Sequence, residues 1–183
     1  MFLGVEKKLE RAAYCLNNLK ALADEAGGFA YIKRDKQQAM RANLDCFFFE
    51  VISAKDFFLQ GINDNYAKLP KDEGTKIDLL KRYLESKKHS HALEVVKSIE
   101  KKLSDKNSWL WRLNNYRNSA MHRDLLSIGY VASTSLANVE AYLFKDPEDP
   151  AQGNADVEVI IYCEESLKRM REFLERLYSE LNV

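Results

Sequence analysis

The residues whose types and spacing could do chemistry lie between Trp109 and His122. Asn114, Asn118 and His122 follow one another at i, i+4 and i+8, so on a helix of about 3.6 residues per turn they form one stripe. Trp111 shares that face and Asn115 sits at its edge. Arg117 lies on the flank, with a side chain long enough to swing toward the stripe. Trp109, Leu113, Tyr116 and Ala120 fall on the other side, the expected core face. A solvated helix face ordinarily carries Glu and Lys, whereas this one carries amides, a Trp and a His. Amides are mediocre helix formers, so they do not serve local stability there. Uncharged polar groups beside an aromatic suit a partly buried interface or a ligand surface. Histidine titrates near neutral pH and arginine keeps its charge, so such a face has groups for proton transfer and for holding an anion. A plainer reading is also open: Arg117 as a surface ion-pairing residue and His122 as a helix C-terminal histidine favoured by the dipole.

These residues need a helical frame, and the sequence supplies one. Leu9, Ala12, Ala13, Leu16, Leu19 and Ala23 recur at helical spacing over 5–26, with Gly27-Gly28 as the stop. Asp35 can cap a long second helix that runs to Tyr66. Its stripe of Met40, Leu44, Phe47, Phe48, Val51, Ala54, Phe58 and Ile62 marks it as the central core helix. Thr75 to Asp78 resembles a capping box for a third helix to Glu85. Ala92, Val95, Val96, Ile99 and Leu103 define a fourth helix over 91–103, and a fifth runs from Trp109 to Leu126. The pattern then alternates with a period of two, through Val139, Ala141 and Leu143 and again through Val157, Val159 and Ile161. The spacing predicts a β-hairpin of 137–145 and 156–162 with a Pro- and Asp-rich tip. A hairpin alone is marginal, so it is expected to pack on the helices. Leu167, Met170, Leu174, Leu177 and Leu181 predict a last helix over 164–182. The expected fold is mainly α: a single domain of residues 1–183, with a helical bundle over 1–127, a hairpin embellishment over 128–163 and a C-terminal helix over 164–183 packing back on the bundle.

Composition narrows the function classes. With 183 residues, 46% hydrophobic and 31% charged, the chain can bury a real core. Seven Gly and three Pro favour long helices. The formal net charge is +0, but residues 68–123 carry fourteen basic and seven acidic side chains and residues 124–183 carry five and twelve. The basic middle can attract a phosphate backbone or the acidic tail of this chain or a second copy. Cys15, Cys46 and Cys163 show no disulfide or zinc spacing, which points to a reducing, cytoplasmic setting. No signal-peptide or membrane-spanning pattern is read.

At this point the chain resembles a known family. Arg117, four intervening residues and His122, with the polar Asn118 directly after the Arg, look like the R-x4–6-H motif of the HEPN (higher eukaryotes and prokaryotes nucleotide-binding) superfamily. The resemblance covers residues 5–126 and the final helix; the hairpin lies outside the family's minimal pattern. It implies an up-and-down helical bundle, to which this chain is expected to add an inserted β-hairpin before the C-terminal helix. It also implies a homodimer in which two motifs face one cleft. It further implies metal-independent RNA cleavage by the 2′-hydroxyl, as in a toxin or defence effector with a cognate antitoxin. His122 would then act as general acid/base or orient the 2′-hydroxyl, Arg117 would hold the scissile phosphate, and Asn118 would hydrogen-bond either. Asn114, Trp111 and Asn115 would line the RNA or the interface. No cofactor or metal is expected. HEPN domains also serve as non-catalytic nucleotide- or protein-binding modules, and that alternative stays open.

Other candidates carry less. His89 and His91 could ligate a metal but lack a Cys or acidic partner at diagnostic spacing. Lys87-Lys88, Lys101-Lys102 and Lys106 could track RNA or form a solvated face. Trp109 is assigned to the core, Trp111 to dimer burial or base stacking.

Overall fold

Two long helices form the spine of the protein in this computed structural model, which describes residues 1–28, 31–122, 128–132, 139–144 and 155–181, with side chains for 1–28, 31–119 and 158–181. The first, α1, spans Leu3–Ala26 and ends at Gly27, whose φ of 78° is the left-handed conformation that glycine adopts without a Cβ clash. The second, α2, spans Gln37–Ile62 and runs on through a π-helical turn, Asn63–Ala67. One antiparallel register ties the two together. A Cβ at Gly4 would strike the Phe57 ring, Arg11 faces Glu50, Asn18 donates to Asn43 at 3.1 Å, and Lys36 pairs with Glu25. Val5, Leu9, Ala12, Leu16 and Leu19 from α1 and Phe47, Phe48, Val51, Ala54 and Phe58 from α2 are all buried in one core.

Three shorter helices follow: α3 (Ile77–Ser86), α4 (Ser90–Ser104) and α5 (Trp109–His122). Leu80 and Leu84 of α3 and Ala92, Val95, Val96 and Ile99 of α4 join the same core. The last helix, α6, spans Val159–Leu181 and buries Val159, Cys163, Met170, Leu174 and Leu177. It is tied to α1 by Lys20–Glu164 at 2.5 Å and Arg171–Glu6 at 3.5 Å. Among the described residues the tail's Glu164 thus meets α1, and Glu172 lies in a cleft with Lys102 of the basic middle. Among the described residues no helix is long and apolar enough to cross a membrane.

Between α5 and α6 lie three short strands, β1 (Ile128–Ala132), β2 (Val139–Phe144) and β3 (Ala155–Glu158), antiparallel in that order. Tyr130 opposes Ala141 and Leu143 opposes Val157, with an irregularity between Leu143 and Phe144. The expected second hairpin arm over 156–162 is corrected: the chain turns helical at Val159. Val159, Tyr162, Cys163 and Ser166 are buried at helical spacing, and Ile161 is exposed. The alternating valines and isoleucines imitate a strand over too short a run to separate the two periods. Glu158 closes the matter locally, since its carboxylate accepts the Ile161 N–H at 2.8 Å and caps the helix. The strand β1 has no counterpart in the sequence reading, and the Pro-rich tip and residues 123–127 lie outside the described residues.

Two caps are also corrected. Lys36 and Lys76 occupy the N-cap positions of α2 and α3 without a side-chain bond, so Asp35 and Thr75 do not cap these helices.

Candidate functional site

The helix α5 is set in place by its start and by its buried side. The Ser108 hydroxyl accepts the Leu110 N–H at 3.2 Å, the ordinary serine N-cap. Leu110, Leu113 and Tyr116 are buried. The Tyr116 ring lies 5.4 Å from that of Phe48 on α2 and 5.2 Å, edge-on, from that of Tyr162 on α6. Leu110 therefore holds the core position assigned to Trp109. Trp109 is only partly buried, edge-on to Phe173 at 5.8 Å. Ala120, the fourth residue of the expected core face, has a side chain outside the described residues.

On the other side, Trp111, Asn114 and Asn118 are partly exposed, while Asn115 is buried rather than at an edge. Every side chain from Ser108 to Ser119 is buried or partly buried, whereas α4 and α6 each leave Lys and Glu residues exposed. Among its described side chains the partly exposed ones are Trp109, Trp111, Arg112, Asn114, Arg117 and Asn118. His122 is the last residue of α5 and its side chain lies outside the described residues.

Arg117 does not reach toward the amide stripe. Its guanidinium lies 4.0 Å from the Asp56 carboxylate on α2, and the other oxygen of Asp56 lies 2.6 Å from the Lys55 ammonium. Lys55 is 8% exposed and Asp56 33%, so the group runs from the interior to the surface. Among the described residues one carboxylate faces the two cations, which leaves a positive charge in a half-buried place. Asp56 faces the Lys55 ammonium closely, so the less compensated charge is the partly covered Arg117 guanidinium, and that is the group receptive to an anion. Sequence reasoning missed Lys55 and Asp56. The signal was present: with Glu50 they are charged residues that interrupt the most aromatic helix of the chain.

The remaining candidates disperse. The ring of His89 meets that of Tyr66 at 5.6 Å, and His91 lines a shallow cleft with Ser90, Glu94 and Glu180. Among the described residues no group of three potential ligands is placed to hold a metal. Lys87 lies over the Tyr83 ring at 5.6 Å, and Lys101 and Lys106 are exposed. Tyr162, behind Tyr116, has a buried hydroxyl, and burial holds its phenol well above the usual range, with Ser166 beside it acting in the other direction.

What this helix and its Lys55–Asp56–Arg117 group belong to is not decided by likeness: no family model matches the chain, and no curated protein and no solved structure matches it.

Proposed function

We propose that the chain is a HEPN-like, metal-independent endoribonuclease acting as a homodimer, with Arg117 and His122 of two copies facing one cleft. In this reading the bundle of α1–α6 is the HEPN-like up-and-down bundle and the strands before α6 are its embellishment. The observation that carries the reading is the Lys55–Asp56–Arg117 group: a positive charge, partly buried, beside the amide face of the helix that ends in His122. A phosphodiester is the anion that such a group suits, because a fixed guanidinium stabilises charge on the phosphoryl oxygens as it develops. His122 accepts the proton of the RNA 2′-hydroxyl. That oxygen attacks phosphorus, the bond to the 5′-oxygen breaks as that oxygen takes up the proton that His122 now carries, and a 2′,3′-cyclic phosphate remains. The partly buried amides and Trp111 serve as RNA contacts or as the seam between copies.

The test is cleavage of a labelled RNA in excess chelator. The expected result is cleavage by the native chain and a loss of about 100-fold or more in Arg117→Ala and in His122→Ala. Undiminished cleavage by purified His122→Ala ends this assignment. A second reading has its own support: Asp56 already occupies Arg117, and the chain is neutral overall, which suits a non-catalytic module that binds a nucleotide or a protein partner, a cognate antitoxin included. Specific binding by a chain that never cleaves would favour it.

A further inference from the structure

A second place in the molecule collects positive charge, away from Arg117. A cleft of about 270 Å³ opens where α4, α5 and α6 meet, lined by Lys102, Trp109, Arg169, Glu172, Phe173 and Arg176. Two of its walls are aromatic and in contact, Trp109 edge-on to Phe173, and the Arg176 guanidinium lies 5.5 Å from the Phe173 ring centre. Three cations and one carboxylate give the lining a net charge of two. The cations are not spent in equal degree. Arg169 holds Glu165 at 3.0 Å, Arg176 is a loose 3.8 Å from Glu180, and Lys102 has no carboxylate partner among the described residues.

We infer that this cleft binds a small phosphomonoester that carries a planar ring. A phosphomonoester, close to two negative charges at neutral pH, meets Lys102 and the part of the Arg176 charge that the loose Glu180 contact leaves available. Arginine forks and a lysine are the donors that phosphate oxygens take, and the Trp109 and Phe173 rings supply the apolar wall for a flat group. The volume lies just below the roughly 300–1,000 Å³ of small-molecule pockets, which suits one such unit and not a length of polymer. Two sources share this chemistry, an aryl phosphate and a nucleoside monophosphate. The site does not depend on RNA cleavage at Arg117, and its test reads binding alone.

The experiment is calorimetric titration of the full chain with phenyl phosphate, adenosine monophosphate, adenosine and inorganic phosphate, with tryptophan fluorescence followed in parallel. At least one of the two ring-bearing phosphates binds, and the tighter of them names the source. Inorganic phosphate and adenosine each bind about tenfold or more weakly than that ligand, since each lacks one half of it. Arg176→Glu and Lys102→Glu each weaken binding by about tenfold or more, because each reverses a cation of the lining. Lys97→Glu, an exposed lysine elsewhere on α4, leaves it unchanged. Circular dichroism confirms that these surface variants fold. Trp109→Phe keeps binding and loses most of the fluorescence response. The inference is overturned if neither phosphate binds, if the two cleft variants bind as the native chain does, or if an oligonucleotide without a terminal phosphate binds as tightly.

Discussion

Two of the three carboxylates of helix α2, Glu50 and Asp56, serve different neighbours. Glu50 faces α1, with Lys8 Nζ at 2.8 Å and Arg11 at 3.8 Å. Asp56 faces α5, with Lys55 at 2.6 Å and Arg117 at 4.0 Å. Each has one negative charge against two positive ones, yet the surroundings differ. The Glu50 side chain is 10% exposed, and Lys8 lies over the rings of Phe49 and Phe57 at 5.2 and 5.3 Å. Its surplus charge sits on Arg11, 66% exposed, where water screens it. At Asp56 the order is reversed. The surplus is shared between a buried Lys55 and a partly covered Arg117, where screening is weak. The same three charges make a staple in one place and a receptive site in the other, and the position of the uncompensated cation decides which.

Removing the carboxylates one at a time tests that contrast. Glu50→Ala has the larger effect on stability, because it leaves Lys8, 12% exposed, without a counter-charge. Breaking a buried pair by removing one partner costs about 3–5 kcal/mol, read as a lower urea midpoint at unchanged slope. A loss below about 1 kcal/mol would mean that Glu50 is screened after all and would erase the distinction.

Asp56→Asn costs less, about 1 kcal/mol, because Asp56 is a third exposed and water recovers part of the loss. What it adds is a site with two cations and no carboxylate. Sulfate then stabilises Asp56→Asn more than it stabilises the native chain or Glu50→Ala, since only an anion that reaches the cations can bind. The comparison between variants removes the general salting effect of sulfate. Equal sulfate responses in all three proteins would show that Lys55 and Arg117 do not form an anion site.

The contrast also explains what could be read from the sequence. The helices α1 and α2 were legible because their buried residues repeat at helical spacing within one segment, and the Gly27 stop is a local signal. The face of α5 that carries Trp111, Asn114 and Asn118 was legible for the same reason. The pairing of Arg117 with Asp56 was not, because it joins residues sixty-one positions apart and depends on how α5 crosses α2. Trp109 misled by its size: the smaller Leu110 fills the core, and Trp109 is left at the mouth of a cleft. The end of β3 misled because Glu158, an uncommon cap, starts a helix where branched residues alternate.

The smallest effect is on a thiol next to the Glu50 staple. Cys15 is buried, and its pKa is raised to about 12, chiefly by desolvation, then by its hydrogen bond to and charge coupling with Cys46, with Glu50 adding to both. Such a thiol is almost wholly protonated at pH 9, and only the thiolate is alkylated. In native protein at that pH, iodoacetamide should therefore modify Cys46, the partly exposed thiol, well before Cys15 or the fully buried Cys163, whose own thiol burial also pushes up. Denaturant should make all three react alike. The linkage has a definite sign. The folded state holds the Cys15 proton more tightly than the unfolded chain does, so stability is unaffected below the ordinary value of 9.0 and declines as pH rises from there toward 12. Glu50→Gln removes the smallest of these causes and should advance Cys15 alkylation slightly. Asp56→Asn should leave it where it is, because Asp56 plays no part in raising that thiol. If both substitutions moved Cys15 equally, the two carboxylates would not be acting on separate sides of the helix.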